Sequence, residues 1–246
     1  MIALFPTSRD RCALLFDITP GLAGIESGIA LARAAAEASA DGIMARLTAA
    51  WPPAHWRILR QACEVLGIGL VLGVEDDDAL DAAILVRPAA LQTYAEQLGD
   101  GLLLRSAAET GLPLVLGAGI GGMAAIERAV DLAEKTTNRH LVLRHGAPAR
   151  LGDLELRRLT SLRMMFPEYV TGYGDYGCGT AMAVAAVTLG AQVVDKGLVL
   201  RAEDRPVGAL TPSEARRFVV EIRAVEKALG PVRRAAPSGA ATALHG

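Results

Sequence analysis

Asp195 and Lys196 close an apolar run near the end of the chain and carry the residue types best suited to covalent chemistry. A buried lysine with a lowered pKa can form a Schiff base with a carbonyl substrate. The more common alternative is a structural ion pair of Lys196 with Asp195 or with another carboxylate, since perturbed lysines serve both purposes. Lys196 is therefore a candidate catalytic residue, and Asp195 a candidate substrate-binding residue.

Arg144 and His145 follow another apolar run, and Asp17 follows the first one. Arginine presents a planar fork of donors that matches phosphate or carboxylate. Histidine can act as a general acid or base near neutral pH. The alternative is a polar loop that caps the rim of a barrel. We name His145 and Asp17 as candidate catalytic residues and Arg144 as a candidate substrate-binding residue.

The glycine-rich run from Gly117 to Gly122 precedes a predicted helix. Free amides at a helix N-terminus can bind an anion, so Gly119 is a candidate substrate-binding residue. The spacing of Gly117, Gly119 and Gly122 matches a dinucleotide-binding GxGxxG. No acidic residue closes a second strand about 20 residues later, as that motif requires. The sequence therefore favours a tight turn.

A second glycine-rich run, YGDYGC, spans Tyr173–Cys178. Asp175 and Tyr176 within it are candidate substrate-binding residues, because both could hydrogen-bond a ligand. Cys178 could be a nucleophile, but no histidine neighbours it in the sequence, and we expect a buried small residue.

Two further groups of residues have ordinary structural interpretations. The acidic run Glu75–Asp78 could bind a metal, but it is more typical of a solvated loop and a helix N-terminus. Trp51 and Trp56 are expected to pack within the protein.

Secondary-structure elements must position these side chains. Short apolar runs, which predict strands, alternate along the chain with amphipathic stretches, which predict helices. The predicted strands are Cys12–Ile18, Gly42–Arg46, Gly69–Val74, Ala82–Arg87, Pro113–Leu116, His140–Arg144, Tyr169–Tyr173 and Gln192–Leu198. The predicted helices include Ile25–Ser39, Pro53–Leu66, Gly122–Thr136, Leu154–Phe166 and Gly179–Leu189.

Eight strands, each followed by a helical segment, predict an α/β fold, a single-domain (β/α)8 TIM barrel; an open doubly wound sheet is the alternative. Barrel ligands bind at the C-terminal ends of the strands. Arg46 and Arg87 end the second and fourth predicted strands and are therefore candidate substrate-binding residues.

The last helix has the clearest boundaries. Thr211 and Glu214 form a capping box, Pro212 takes the first helical position, and Gly230 precedes a proline. The predicted buried stripe of this helix is Phe218, Val219, Ile222, Val225 and Leu229. We expect the barrel to span residues 1–231 and residues 232–246 to form a disordered tail.

Composition narrows the function classes. The 246 residues carry a net charge of -2, which gives no electrostatic reason to expect nucleic acid or a membrane surface as a partner. No run of about 18 uncharged apolar residues predicts a membrane span. The three cysteines are widely spaced and form no CxxC pair, so a reducing, cytoplasmic location is expected.

The second half of the chain resembles the barrel of the N-acetylneuraminate (sialic acid) synthase family. Three segments carry the resemblance: TGLPLVLGAGIGGMAAIERAV from Thr110, TGYGDYGCGTAMAVAAVTLGAQVVDKGLVL from Thr171, and LTPSEARRFVVEIRAVEKALG from Leu210. Family members read close to TGKPVILSTGM, GYSDHT and IEKHFT, and they end their last helix in VEKALG. The match spans about 120 residues from Gly111 to Gly230 and is thinner before that.

The resemblance implies an enzyme that joins phosphoenolpyruvate to an N-acetylated sugar with a divalent metal. The resemblance is lost at the residues that would carry out this reaction. The family's two metal-binding histidines correspond to Tyr176 and Gly197, and the lysine of its second strand corresponds to Met44. A metal site does not survive the loss of its imidazoles without replacement donors, so no metal and no other cofactor is predicted.

Other family positions also differ. The hydroxyl residues that hold phosphate and carboxylate correspond to Gly117-Ala118, Gly174 and His145-Gly146-Ala147. We also expect the family's C-terminal antifreeze-like domain to be absent. Framework positions persist while strand-end positions change, which indicates released constraint or a changed substrate.

Two functions remain open. The first is a divergent, metal-independent enzyme of aldol type that forms carbon–carbon bonds on a small anionic, sugar-derived substrate. The second is a catalytically inactive barrel that acts as a binding or partner subunit, with a homo-oligomer as a further possibility.

Overall fold

In a computed structural model, the protein forms a closed barrel of eight parallel strands in the order β1 to β8. The structure describes residues 4–5, 11–48, 51–119, 122–136, 138–146 and 154–230. The strands are Ala13–Asp17, Gly42–Arg46, Gly69–Val74, Ala90–Thr93, Leu114–Gly117, Leu141–His145, Val170–Asp175 and Val193–Gly197, named β1 to β8. The predicted barrel is confirmed, and the open sheet is excluded because β1 pairs with β8.

Helices cover the outside of the barrel. They are Ile25–Glu37, Pro53–Leu66, Asp77–Val86, Gly101–Glu109, Met123–Glu134, Arg158–Met165, Ala181–Thr188 and Pro212–Leu229, named α1 to α8. Within the described ranges, short 3-10 helices lie at Thr19–Gly21, Ala95–Gly99 and Ala202–Asp204. None of the helices in the described part of the chain is long and apolar enough to cross a membrane.

The predicted fourth strand, Ala82–Arg87, is wrong. Most of this segment lies in α3, and β4 is Ala90–Thr93. A short apolar run fits a strand and a buried helix equally well. Here the spacing of Leu80, Ala83 and Val86 places all three on the buried face of a helix, and Asp76 caps that helix by accepting a hydrogen bond from Ala79.

The predicted start of α8 is confirmed. Glu214 accepts hydrogen bonds from the backbone and the hydroxyl of Thr211, and Pro212 is the first helical residue. Leu229, in contrast, is 52% exposed and does not belong to the buried stripe. The predicted tail, 232–246, lies outside the described residues.

Alternation along the strands divides the apolar core into two parts. One set fills the barrel interior: Ala13, Leu15, Met44, Val71, Ala90, Val115, Val142 and Val193. A larger set packs between the sheet and the helices and includes Leu14, Leu72, Leu116, Leu143, Tyr173, Val194 and Phe218. Neighbouring residues of one strand therefore belong to different environments, and this decides which polar side chains reach the mouth.

Candidate functional site

The C-terminal end of the barrel is occupied by polar side chains that point into its interior. We call this region the mouth; its lining includes Asp17, Arg46, Gly73, Gln92, Tyr94, Arg144 and Tyr176. It lies where ligands bind in barrels of this type.

Arg144 of β6 and Asp195 of β8 form the central contact beside the mouth. Arg144 donates through Nε to Oδ1 and through Nη2 to Oδ2 of Asp195, both at 2.6 Å. Their side chains are only 6% and 4% exposed. Burial alone would lower the pKa of Arg144, but Asp195 outweighs it and holds that pKa well above its ordinary value. The two residues therefore form a buried, two-armed ion pair.

Tyr176 extends this network. Arg144 Nη2 also donates to the Tyr176 hydroxyl at 3.1 Å, and the guanidinium lies 5.5 Å from the centre of the Tyr176 ring. Gly174 makes room for the arrangement, because a Cβ atom there would overlap the guanidinium of Arg144. The predicted residues Arg144, Tyr176 and Asp195 are thus brought together, with the arginine donating to both of the others.

A second cation lies on the other side of the mouth. Arg46 of β2 lies 2.9 Å from Oε1 of Glu75, and its guanidinium is 4.4 Å from the centre of the Tyr94 ring. The Tyr94 hydroxyl occupies the space above Gly73, where a side chain would overlap it. Arg46 remains 44% exposed, so it forms the rim of the mouth.

Asp17 ends β1 at the mouth. Its Oδ1 accepts a hydrogen bond from the backbone of Thr19 at 2.9 Å. Burial raises the pKa of the Asp17 carboxyl above its ordinary value, and Thr19 opposes that effect only in part. Asp17 therefore tends to keep its proton more than a free aspartate does, and a protonated carboxyl can donate a hydrogen bond or a proton.

Lys196 does not reach the mouth, contrary to the interpretation as a catalytic residue. Its Nζ lies 2.8 Å from Asp175 Oδ2 and donates to Gly177 O at 2.6 Å; the two side chains are 0% and 1% exposed. The ammonium group lies 5.9 Å from the centre of the Phe218 ring of α8. Asp175, predicted to bind substrate, lies with Lys196 in the layer between sheet and helices.

His145 also faces away from the mouth. Its Nε2 lies 2.9 Å from Leu154 O, and its ring centre is 6.4 Å from that of Tyr173. Burial lowers the pKa of His145, which favours the neutral ring. The expected catalytic placement is wrong because His145 follows the interior residue Arg144 on the same strand, and consecutive side chains alternate.

Arg87 lies at the opposite end of the barrel. It caps the C-terminal end of α3 and, with Arg60 and Thr110, lines a cleft beside the first residues of β3. The prediction failed because it rested on the misplaced fourth strand.

Two further residues of the glycine-rich runs can be placed. Gly119 lies just after β5 in a bend, as a turn requires. Cys178 is exposed rather than buried.

The acidic run and the two tryptophans have the structural roles expected of them. Asp76 caps α3, and Asp77 and Asp78 lie in its first turn, so this acidic run serves a loop and a helix N-terminus. The rings of Trp51 and Trp56 pack together with centres 4.7 Å apart.

The mouth does not fit a divalent metal. Asp195 gives both oxygens to Arg144, Glu75 is paired with Arg46, and burial makes the ionised form of Asp17 less favourable. The two guanidinium groups would repel a cation. Among the described residues, no three His, Cys, Asp or Glu side chains are grouped as metal ligands.

Sequence reasoning missed two residues of the mouth, Tyr94 and Gln92. Both lie on or next to β4, the strand that was misplaced. Gln92 is 3% exposed, and its Oε1 is buried with no hydrogen-bond partner among the described residues. The polar residues in the short run Ala90–Thr93 could have indicated a mouth position only with the correct strand boundaries.

Known proteins resemble this chain in sequence and in fold. The family model described as the NeuB family matches residues 32–234. An uncharacterized protein of Methanocaldococcus jannaschii is 30% identical over 178 residues, covering 70% of this chain and 52% of that protein. The N-acetylneuraminate-9-phosphate synthase of Homo sapiens is 25% identical over 190 residues, covering 74% and 53%. The chain thus spans about half the length of these relatives.

Solved structures show the same fold. The N-acetylneuraminic acid synthetase of Leptospira borgpetersenii, in complex with citrate, superposes with a TM-score of 0.84 at 18% identity, covering 94% of this chain and 89% of that one. The spore coat polysaccharide biosynthesis protein spsE of Bacillus subtilis also gives 0.84, at 21% identity, covering 93% and 72%.

Proposed function

The chain belongs to the NeuB family, and on that premise we propose that it is a synthase-like barrel that binds a small sugar-derived ligand at its mouth without catalysing a condensation. It would then act as a binding or partner subunit. The whole activity of the longer relatives is not carried over, because this chain matches only about half of their length.

The buried network of Asp195, Arg144 and Tyr176 carries the proposal. Tyr176 stands where the resemblance places one metal-binding histidine, and it accepts a hydrogen bond from Arg144. A guanidinium at this point supplies donors and a positive charge, which serve ligand binding but oppose metal coordination. The other histidine position, Gly197, offers no donor atom.

The placement of Lys196 and His145 supports the same conclusion. A Schiff base needs an amine that a carbonyl carbon can approach, but Lys196 is fully buried and ion-paired. A general base must come within hydrogen-bond reach of its substrate. His145 instead contacts the Leu154 carbonyl outside the barrel interior.

The charges at the mouth favour a ligand that binds through sugar hydroxyl groups over a strongly anionic ligand. Arg144 and Arg46 are matched by Asp195 and Glu75. Hydroxyl groups can bind among such paired charges, since they both donate and accept hydrogen bonds. A carboxylate would bind at the exposed rim, where it would compete with Glu75 for Arg46.

One observation supports a second function. Asp17 combines a raised pKa with a place at the mouth, as a general acid for metal-independent carbon–carbon chemistry would. This keeps the divergent enzyme as a candidate with Asp17, rather than Lys196, as its acid.

Two measurements on the purified chain separate these functions. Calorimetric titration with N-acetylneuraminate should show binding, and Arg46→Ala or Arg144→Met should weaken it. Incubation with phosphoenolpyruvate and an N-acetylated sugar, with and without divalent cations, should give no condensation product. A product that disappears in Asp17→Asn would replace the binding function with the second candidate. A calorimetric titration that shows no binding of N-acetylneuraminate would refute the binding function itself.

A further inference from the structure

Gln92 is a buried, uncharged polar residue among the charged side chains of the mouth. It lies on β4 between Gly73 of β3 and Val115 of β5 in the strand register, and it lines the mouth together with Asp17, Tyr94 and Arg144. Only 3% of the residue is exposed. Its amide therefore forms part of the floor beneath the charged rim.

The amide oxygen of Gln92 lacks a hydrogen-bond donor in the described part of the protein. Buried acceptors are nearly always satisfied, because leaving one unpaired loses its interaction with water and returns nothing. Asn138 shows the contrast within this chain: it is equally buried, donates to the carbonyls of Ala108 and Leu112, and accepts from the backbone of His140. The amide of Asn138 is satisfied by backbone groups, whereas the oxygen of Gln92 has no partner among the described residues.

Gln92 lines the cavity at the mouth, and the size of that cavity limits which groups can approach its side chain. The cavity holds about 10 Å³, which is room for one water-sized group. A carboxylate or a phosphate is larger and brings no donor. A hydroxyl group fits the volume and donates the missing hydrogen bond.

We propose that Gln92 is a specificity-determining residue that accepts a hydrogen bond from a hydroxyl group of the bound ligand. The hydroxyl enters between the Arg46–Tyr94 pair and the Arg144–Tyr176 pair, while the rest of the ligand stays at the rim. The inference rests on the proposed binding function and deepens it by naming the residue that selects for a hydroxyl group of the ligand. A site built to satisfy a buried polar group discriminates strongly against ligands that lack the matching group.

The test compares three proteins by calorimetric titration with N-acetylneuraminate: the natural chain, Gln92→Met and Thr93→Val. Methionine keeps the length of glutamine and removes the acceptor. Thr93 is the matched control, because it is the next residue of β4, is 1% exposed and has a hydroxyl oxygen with no partner in the described ranges, but it does not line the mouth. We expect Gln92→Met to weaken binding by about three- to tenfold and Thr93→Val to leave it within about twofold.

Thermal unfolding without ligand supplies an independent measurement. Removing an unsatisfied acceptor should leave the melting temperature of Gln92→Met unchanged or higher, whereas loss of a structural hydrogen bond would lower it. Gln92→Leu repeats the comparison if the methionine variant does not fold. If Gln92→Met binds as tightly as the natural chain, whether or not its melting temperature falls, the role of Gln92 is refuted and the proposed function is not. No binding by the natural chain would refute the proposed function, and the inference with it.

Discussion

Asp195 and Lys196 are consecutive residues of β8, yet their side chains form ion pairs on opposite sides of the sheet. Asp195 accepts both arms of Arg144 at the mouth, while Lys196 lies 2.8 Å from Asp175 in the layer covered by α8. The alternation of a β-strand imposes this separation. One pair therefore belongs to the candidate site, and the other holds the scaffold behind it.

Breaking the outer pair should destabilise the protein without touching the mouth directly. Lys196→Met leaves the carboxylate of Asp175 buried and unpaired, so we expect a loss of about 3–5 kcal/mol in the free energy of unfolding. The double variant Lys196→Met with Asp175→Asn should recover much of that loss, because asparagine is neutral and can still accept from the backbone of Gly177. Urea unfolding measures both. Equal losses in the single and double variants would contradict an ion-pair origin.

Breaking the pair at the mouth should have a similar cost. Asp195→Asn leaves the Arg144 guanidinium buried without its charge partner, and we expect a loss of about 3–5 kcal/mol. Glu203→Gln is the control, since it removes a carboxylate from an exposed pair in which Arg201 lies 3.9 Å away. That change should have no measurable effect on the unfolding midpoint. Similar midpoints for the two variants would show that burial of the Arg144 pair matters little.

The close approach of Tyr94 to Gly73 predicts a steric effect. Gly73→Ala places a methyl group where the tyrosine hydroxyl lies, so the ring must shift, and we expect a loss of about 1–3 kcal/mol. Gly101→Ala is the matched change, because its added methyl group meets only Leu132 at an ordinary 3.6 Å. Thermal unfolding should separate the two variants. A Gly73→Ala protein as stable as Gly101→Ala would mean that Tyr94 does not occupy this space.

The raised pKa of Asp17 predicts a pH dependence. The folded chain holds this proton more tightly than the unfolded chain, in which the pKa is about 3.9. Asp17 therefore favours folding most below that pH, and this contribution is lost as the pH rises through the folded pKa. Asp17→Asn cannot ionise, so its free energy of unfolding should rise relative to that of the natural chain as the pH increases from about 4 through the folded pKa of Asp17. Urea unfolding across this range measures the difference; a constant offset would contradict the raised pKa.

Much of the scaffold could be predicted from the sequence alone. The eight alternating units, the boundaries of β2, α2 and β3, and the capped start of α8 rest on local signals: apolar runs, helical spacing, Pro212 and the Thr211–Glu214 box. Such signals depend on neighbouring residues and need no knowledge of distant contacts. The family resemblance was carried by the same framework positions, and the NeuB match confirms it.

The composition of the site was decided by tertiary structure. The sequence placed Lys196, His145 and Asp195 at strand ends, but closure of the barrel determines which face of each strand becomes the interior. That closure turned Asp195 inward and Lys196 and His145 outward, and it joined Arg144 to a residue 51 positions away. It also brought Gln92 and Tyr94 to the mouth from β4, a strand that the sequence analysis had placed too early in the chain. Side-chain direction depends on which surface is enclosed, and only the completed barrel defines that surface.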